Sequence, residues 1–517
     1  MADGHEVSFL PRKQGFRRRS VRRAVLVAVS LVGVLGSTAG PALAVTRPVN
    51  WGSPAATNPY AADAASARSY SATWGWPQTR IQTSVPAFPV GSIKAPLALK
   101  TATAPTDATS VLMRKTLNTS LRYMLTTWWQ QRFGKQLKAK VFNLGGTDEY
   151  HVRGPAMEAY ALAIALKTGG YQPTVTGVPL ATAQADAVKL VTSLVDNHLA
   201  NNLSGWGIVW QSPLWSAMAG TAAWLLWDKL DVPTRTAAMK MVVQEADIFN
   251  NFQVPYYQSP DGTILSPGDT KAEEDSWDSM ILQVAVAMMP THPYASIWSK
   301  KNVELQLAAY ARPQDLTDST VINGQPLSAW LQGSNINPDG TLVNHGIIHP
   351  DYMATVIQNL TAPLVSAFAG QPAPIASLHN ADVVYGAMTN VTFAAPPYRA
   401  PGGTIYVPNS ASLYYPQSDD WGTSRIAHTV ALDEMAADLH LDDLAAVPAA
   451  TELDLHLQKV ASMQARSKDG RSYVTASEDT YNLREEWVAY HLGLAWLTRW
   501  TTSNSLVSFT NNSVLSQ

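Results

Sequence analysis

From about residue 107 onward, apolar residues return at helical spacing in one segment after another, and almost nowhere at the two-residue spacing of a strand. Val111, Leu112, Leu117, Leu121, Met124, Leu125 and Trp128 set the pattern, and Met353, Val356, Ile357, Leu360, Leu364 and Phe368 repeat it late in the chain. The spacing predicts about twelve helices, over 107–133, 154–168, 180–200, 213–230, 233–250, 270–289, 293–312, 349–369, 378–390, 420–440, 450–467 and 483–502. Pro155, Pro213, Pro233, Pro293 and Pro350 each stand near an expected start, where a missing N–H costs nothing. Thr270 and Glu273 have the spacing of a capping box. The strand-like exceptions, Val391-Thr392-Phe393 and Thr404-Ile405-Tyr406-Val407, suggest a small hairpin near 391–407.

Helices without a sheet can form a solenoid, an irregular bundle or a closed ring. A solenoid repeats its sequence, and no repeat is found. Six helical hairpins closed into a ring use the expected number of helices and leave a hollow lined by loops. The fold class expected is therefore all-α, an (α/α)6 toroid over 107–517 with the minor hairpin beside it.

The residues before the toroid read differently. Arg17-Arg18-Arg19 and Arg22-Arg23, the apolar run from Ala24 to Gly36, and Ala42-Leu43-Ala44 have the order of a cleavable signal peptide over 1–44. The paired arginines are of the kind read by a twin-arginine export system. Residues 45–106, rich in Pro, Ala, Ser and Thr, are expected to be a linker or a packed arm, with Trp51, Trp74 and Trp76 favouring packing. A secreted protein with no membrane anchor after cleavage is the expectation.

Composition narrows the chemistry. With 37 basic and 39 acidic side chains and no later run of either sign, nucleic acid is not an expected partner. The absence of cysteine excludes thiolate metal sites and a cysteine nucleophile. No phosphate-binding glycine loop, Gly-x-Ser-x-Gly elbow, His-Glu-x-x-His or EF-hand loop is present, so neither cofactor nor metal is expected. Seventeen tryptophans and nineteen tyrosines against ten phenylalanines favour amphipathic rings, which suit sugar clefts because a flat face stacks while the polar edge finds a partner.

Chemistry-bearing residues concentrate in the connections. Residues 146–153, 205–211, 268–278, 337–352 and 414–425 are polar and aromatic, and each precedes an even-numbered helix. In a ring of hairpins, alternate connections emerge on one rim. The richest runs from Asn337 through Asp339-Gly340-Thr341, Asn344, His345 and His349-Pro350-Asp351-Tyr352, a turn delivering polar groups to a helix start. His345 and His349 straddle that start instead of sharing a formed helix face, so they are not read as a zinc pair.

Asp339-Gly340-Thr341, then His345, then Tyr352 and an apolar helix resemble the Asp-Gly-Ser, His and Tyr segment of secreted helical-toroid polysaccharide lyases of the hyaluronate-lyase and heparinase II/III type. The resemblance implies β-elimination at a uronic acid. Elimination needs a group to hold the substrate carboxyl, a base and an acid. Asn344 suits the first role, His345 or His349 the second, and Tyr352 the second or the third. Arg153 or Arg425 suits a uronate, and Asp420-Trp421 beside Arg425 suits a sugar ring.

Glycoside hydrolysis by two carboxyl groups is the rival reading, with Asp269, Glu273, Glu274, Asp275, Asp278, Asp339, Asp351 and Asp420 available. Glu274 and Asp278 share a helix face, while Glu273 looks toward Trp277. A non-catalytic carbohydrate-binding protein is the third reading. In each, a polysaccharide is the partner and Trp206, Trp210, Trp277 and Trp421 rim the cleft.

Overall fold

The computed structural model describes residue 49 and residues 88–514, apart from Trp421 and Asn482. The expected leader and Trp51, Trp74 and Trp76 lie outside the described residues. Described residues are mostly helical, and their strands are two-residue pieces. The long helices are α1 (Ala108–Tyr123), α2 (Glu149–Lys167), α3 (Leu180–Asp196), α4 (Ser212–Leu225), α5 (Val232–Asp247), α6 (Ala272–Met288), α7 (Ala295–Ala309), α8 (Thr361–Ala369), α9 (Ala381–Asn390), α10 (Ile426–Asp438), α11 (Ala449–Gln464) and α12 (Arg484–Ser503). All twelve expected segments are helical, with shifted ends.

The helices differ in how completely they are buried. Every residue of α4 is buried, and α2, α10 and α12 are buried all round over most of their length. Such helices belong inside. Helix α3 instead buries Ala183, Ala187, Leu190, Val191, Ser193, Leu194 and Val195 and leaves its other residues half-buried or exposed. Burying Leu214, Met218 and Leu225 of α4 contributes about 1.5–3 kcal/mol each. At Gly220 an added Cβ would meet Val242 at 2.8 Å, so α4 and α5 approach closely because that position has no side chain.

Helix α2 packs on α4, α4 on α6, α6 on α8 and the turns before it, those turns on α10, α10 on α12, and α12 on α2. Odd helices cover them: α1 lies on α12, α3 on α2 and α4, α5 on α4 and α6, α7 on α6, α9 on α10, and α11 on α10 and α1.

Residues 88–106 cross the C-terminal ends of the inner helices. Lys94 N donates to Met288 O and Leu97 N to Phe368 O, each at 2.8 Å, and Trp224 Nε1 donates to Lys94 O at 2.7 Å. Thr103 and Asn504 exchange hydrogen bonds beyond them.

Four local expectations are corrected. Helix α2 starts at Glu149, capped by Asp148, and Pro155 sits inside it. The ring there denies His151 O its usual helical donor, and Arg132 Nη2 supplies one at 2.8 Å. The capping box at 270–273 does not form: the Thr270 hydroxyl accepts from Ala272 N at 3.2 Å and donates to Asn335 O at 2.6 Å. The span 349–369 is a turn of helix at Pro350–Met353, a 3-10 turn at Ala354–Gln358, and then α8. Pro363 leaves Asn359 O without its helical donor, which explains the break. The hairpin near 391–407 is reduced to one antiparallel bridge between Phe393 and Gly403, since Pro396, Pro397 and Pro401 carry no ladder donors.

Candidate active site

The connections that precede the even-numbered helices are tied to one another. Arg153 Nη1 at the start of α2 donates to Gln211 Oε1 before α4 at 2.9 Å, and Trp210 Nε1 donates to Glu274 Oε1 on α6 at 3.1 Å. Gly346 N donates to Gly268 O at 2.8 Å, and Thr270 N to Val343 O at 2.9 Å. Ile348 N donates to Gln417 Oε1 at 2.6 Å, and Tyr473 OH, before α12, donates to Ser424 O at 2.8 Å. Arg153 Nη2 donates to Tyr481 OH at 2.9 Å, which returns the circuit to α2.

His345 owes its position to a tight hairpin. Val343 pairs with Ile348 and Asn344 with Ile347, leaving His345-Gly346 as a two-residue turn. Both residues have positive φ, 51° and 75°, as a type I′ turn demands. Histidine in that conformation costs about 1–2 kcal/mol. The turn is bonded to the start of α6 and the imidazole is exposed, so a fixed backbone presents a reachable ring.

His345 Nδ1 donates to Asp420 Oδ2, and buried His349 Nε2 donates to Asp420 Oδ1 at 3.0 Å. The His345 tautomer that this partner requires leaves Nε2 as an acceptor, and Tyr352 OH lies 3.3 Å from it. Burial works to lower the His345 pKa, but the hydrogen bond and charge of Asp420, with Glu273 and Asp269 beyond, raise it above its ordinary value. For His349 burial wins, and its pKa falls to about 4. Asp420 stays ionised: burial opposes this, and the two imidazoles hold its pKa well below the usual range. Burial, then the charges of Glu273 and Asp269, raise the Tyr352 phenol well above its ordinary value, so it holds its proton at neutral pH.

Carboxylates at the start of α6 divide into engaged and unengaged. Lys271 Nζ lies 2.6 Å from Asp269 Oδ2 and 3.1 Å from Glu274 Oε1. Burial disfavours its charge, but the two carboxylates hold it as an ammonium with pKa about 12. Glu274 Oε1 thus accepts from both Lys271 and Trp210. Glu273 is half-buried and makes no hydrogen bond or ion pair among the described residues. Burial pushes its pKa up to about 7 against the pull of Arg425, Arg153 and His345.

Other expected residues fall elsewhere. Trp206 and Trp277, expected at a cleft rim, are both about 1% exposed, Trp206 against His198 and Trp215, and Trp277 edge-on to Trp210. Trp210 is half-buried, and Trp421 lies outside the described residues. Asn344 is buried and donates to Asp269 Oδ1 at 3.2 Å. Asp339 caps its own turn by accepting from Thr341 N and the Thr341 hydroxyl. Arg153 and Arg425 are buried, the latter 4.6 Å over the Tyr481 ring and 5.4 Å over Trp487. Asp351 accepts from Tyr415.

Residues 470–484 were not singled out in sequence, yet Tyr473 and Tyr481 complete the circuit. They precede the twelfth helix, so the even-helix rule applied once more points to them. Gln211, Gln417 and Lys271 also belong to the site.

His345, His349 and Asp420 bring one potential ligand atom each within 4.8 Å of one another, a spacing that also suits a metal ion. Their present contacts are hydrogen bonds between imidazole and carboxylate. Comparison with protein-family models, curated proteins and solved structures finds no match to this chain.

Proposed function

We propose that this chain is a secreted carbohydrate-active enzyme that cleaves a uronic-acid polysaccharide by β-elimination. The six inner helices would form a toroid with its mouth at their N-terminal ends. The order of packing from α2 around to α12 and back to α2 supports the toroid. Hydrogen bonds from one connection to the next support a common mouth at that end.

One observation carries the reaction class: an exposed imidazole, oriented by Asp420 and facing the phenol of Tyr352. His345 Nε2 takes the proton from the carbon α to the uronate carboxyl. That electron pair forms the double bond as the bond from the β carbon to the glycosidic oxygen breaks, and Tyr352 protonates the departing oxygen. Transfer of the proton from His345 to the Tyr352 phenolate across their contact restores both groups, and no water is consumed. His349, neutral and buried, fixes Asp420.

Hydrolysis by paired carboxyl groups is less well supported, because Glu274 is engaged by Lys271 and Trp210 and Asp339 by its own turn. The test is to incubate the chain with a panel of uronic-acid and neutral glycans and to follow ultraviolet absorbance alongside reducing ends. Absorbance from an unsaturated uronate is expected. Reducing ends without it mean hydrolysis, and neither signal favours a binding protein.

A further inference from the structure

The C-terminal ends of α2 and α4 border a cavity that the elimination reading leaves unused. It measures about 540 Å³, within the range of roughly 300–1,000 Å³ usual for sites that take a small molecule. The strap of residues 88–106 forms one wall, and the first turns of α3 and α5 complete the enclosure. At a helical rise of about 1.5 Å per residue, Lys167 in this cavity lies about 20 Å along α2 from Arg153. The two sites are therefore separate.

Aliphatic walls come from Pro96, Leu166, Leu225 and Leu226. Four cations from four segments converge on them: Lys100, Lys167, Lys229 and Arg235. The one carboxylate of the lining, Asp228, lies 2.9 Å from Lys229 Nζ, which leaves three cations unbalanced. Lys100, Lys167 and Arg235 make no ion pair or side-chain hydrogen bond among the described residues. Lys167 is half-buried, and burial holds its pKa below the ordinary lysine value against the pull of Asp228. Arg235 is half-buried as well. Its guanidinium carbon sits 5.6 Å from the centre of the Trp227 ring, and its Nε is shut off from solvent without an acceptor. A cation taken out of water without a counter-charge is costly.

Helix ends do not account for the excess. The C-termini of α2 and α4 carry about half a negative charge each, and the first turns of α3 and α5 carry about half a positive charge each, so the two sets cancel. Residues 50–87 of the chain bring Arg68 and Arg80 against Asp63 alone, and so supply no counter-charge either.

We propose that this cavity binds an amphipathic organic anion, with a carboxylate head among Lys100, Lys167 and Arg235 and an aliphatic body against Leu166, Leu225 and Leu226. The lining selects the class. An inorganic anion leaves the aliphatic walls empty, and a sugar ring finds no open indole face, because Trp227 is 7% exposed and Arg235 lies over it. Since the strap is one wall, the ligand bridges it to α2 and α5. It adds there to the bonds from Lys94 N to Met288 O and from Trp224 Nε1 to Lys94 O. Binding to the folded chain alone stabilises it by mass action.

Octanoate is the probe, with acetate as the head without the body and 1-octanol as the body without the head. Calorimetry on the purified chain should give one octanoate per chain with Kd at or below about 1 mM, and binding at least about tenfold weaker for either control. Hydrogen exchange should slow in residues 94–100 and 225–235 when octanoate binds. Lys167→Gln and Arg235→Gln should each weaken octanoate by about tenfold or more, since each removes a charged partner of the head. Ala98→Phe keeps every charge but fills the cavity from the exposed strap, so it should abolish binding. Thermal melts confirm folding, and if Arg235→Gln unfolds, Lys167→Gln and Ala98→Phe decide alone. Octanol bound as tightly as octanoate, octanoate binding unchanged in Lys167→Gln and Ala98→Phe, or no binding up to about 10 mM overturns the proposal. A preference for trigalacturonate over octanoate, lost in Lys167→Gln, overturns it too and makes the cavity a second sugar site.

Discussion

Among the described residues some histidine–carboxylate clusters are wholly buried and others reach solvent, and the Asp420 cluster differs from the buried ones in what lies on the far side of the imidazole. In the interior, His198 Nε2 donates to Glu245 at 3.0 Å and His456 Nδ1 to Asp433 at 2.7 Å, with all four side chains fully buried. Glu245 also accepts from Ile208 N and the Ser212 hydroxyl, and Asp433 from the phenols of Tyr385 and Tyr406. Those carboxylates bind helices and a loop together. Before α10, Asp420 accepts from two histidines, one of them exposed with its second nitrogen toward Tyr352. An acid beside a histidine is therefore no mark of chemistry by itself. Exposure and an acceptor nitrogen facing a second proton carrier are what set the Asp420 cluster apart.

The largest expected effects test that distinction directly. His345→Ala and Tyr352→Phe should each lower kcat/KM by about 10²–10⁴, the range for removing a general base or acid, while thermal melts stay near the parent's. His198→Ala should do the reverse. It leaves Glu245 buried without its imidazole, which costs about 3–5 kcal/mol in denaturant unfolding, with kcat/KM altered less than tenfold. If His198→Ala abolishes turnover in a folded protein, or His345→Ala unfolds it, the contrast between the two clusters fails.

Legibility in the sequence followed the range of the forces involved. Helix positions were readable because burial of one stripe, or of a whole surface, writes itself into local spacing, and all twelve segments are helices. Ends were read less well: Pro155 looked like a start but lies within α2, tolerated because Arg132 serves the carbonyl it frees. His345, Tyr352 and Asp420 were named from their composition and turn context. Their hydrogen bonds were not readable, since Asp420 lies 75 residues from His345. Tryptophan identity misled at Trp206 and Trp277, where a large ring fills the interior as readily as it stacks on a sugar. The His345-Gly346 turn escaped notice because Asn-Gly, and not His-Gly, is the usual type I′ signal.

A smaller effect is expected from Asp420→Asn, which keeps the shape and removes the charge. Asp420 raises the His345 pKa, so its loss lowers that pKa and moves the acid limb of the pH–rate profile to lower pH. An amide can also donate to Nδ1 and turn the imidazole tautomer the wrong way, so kcat/KM should fall by about 10²-fold or more even where His345 is neutral. Nitrogen chemical shifts of His345 would report the tautomer. An acid limb that stays in place would mean that Asp420 serves only as structure, like Glu245.

Metal removal should have the smallest effect. His345, His349 and Asp420 are spaced so that an ion would fit, but the elimination reading needs His345 Nε2 as a base toward substrate and Nδ1 bonded to Asp420. Prolonged dialysis against a chelator should then leave kcat/KM within about twofold. Excess zinc should inhibit, because a cation bound by His345 competes with the proton it must accept, and the inhibition should ease as falling pH protonates the imidazole. Activity lost to the chelator and restored by one divalent metal would place an ion where the Asp420 hydrogen bonds now are, and the exposed cluster would then differ from His198–Glu245 by coordination and not by proton transfer.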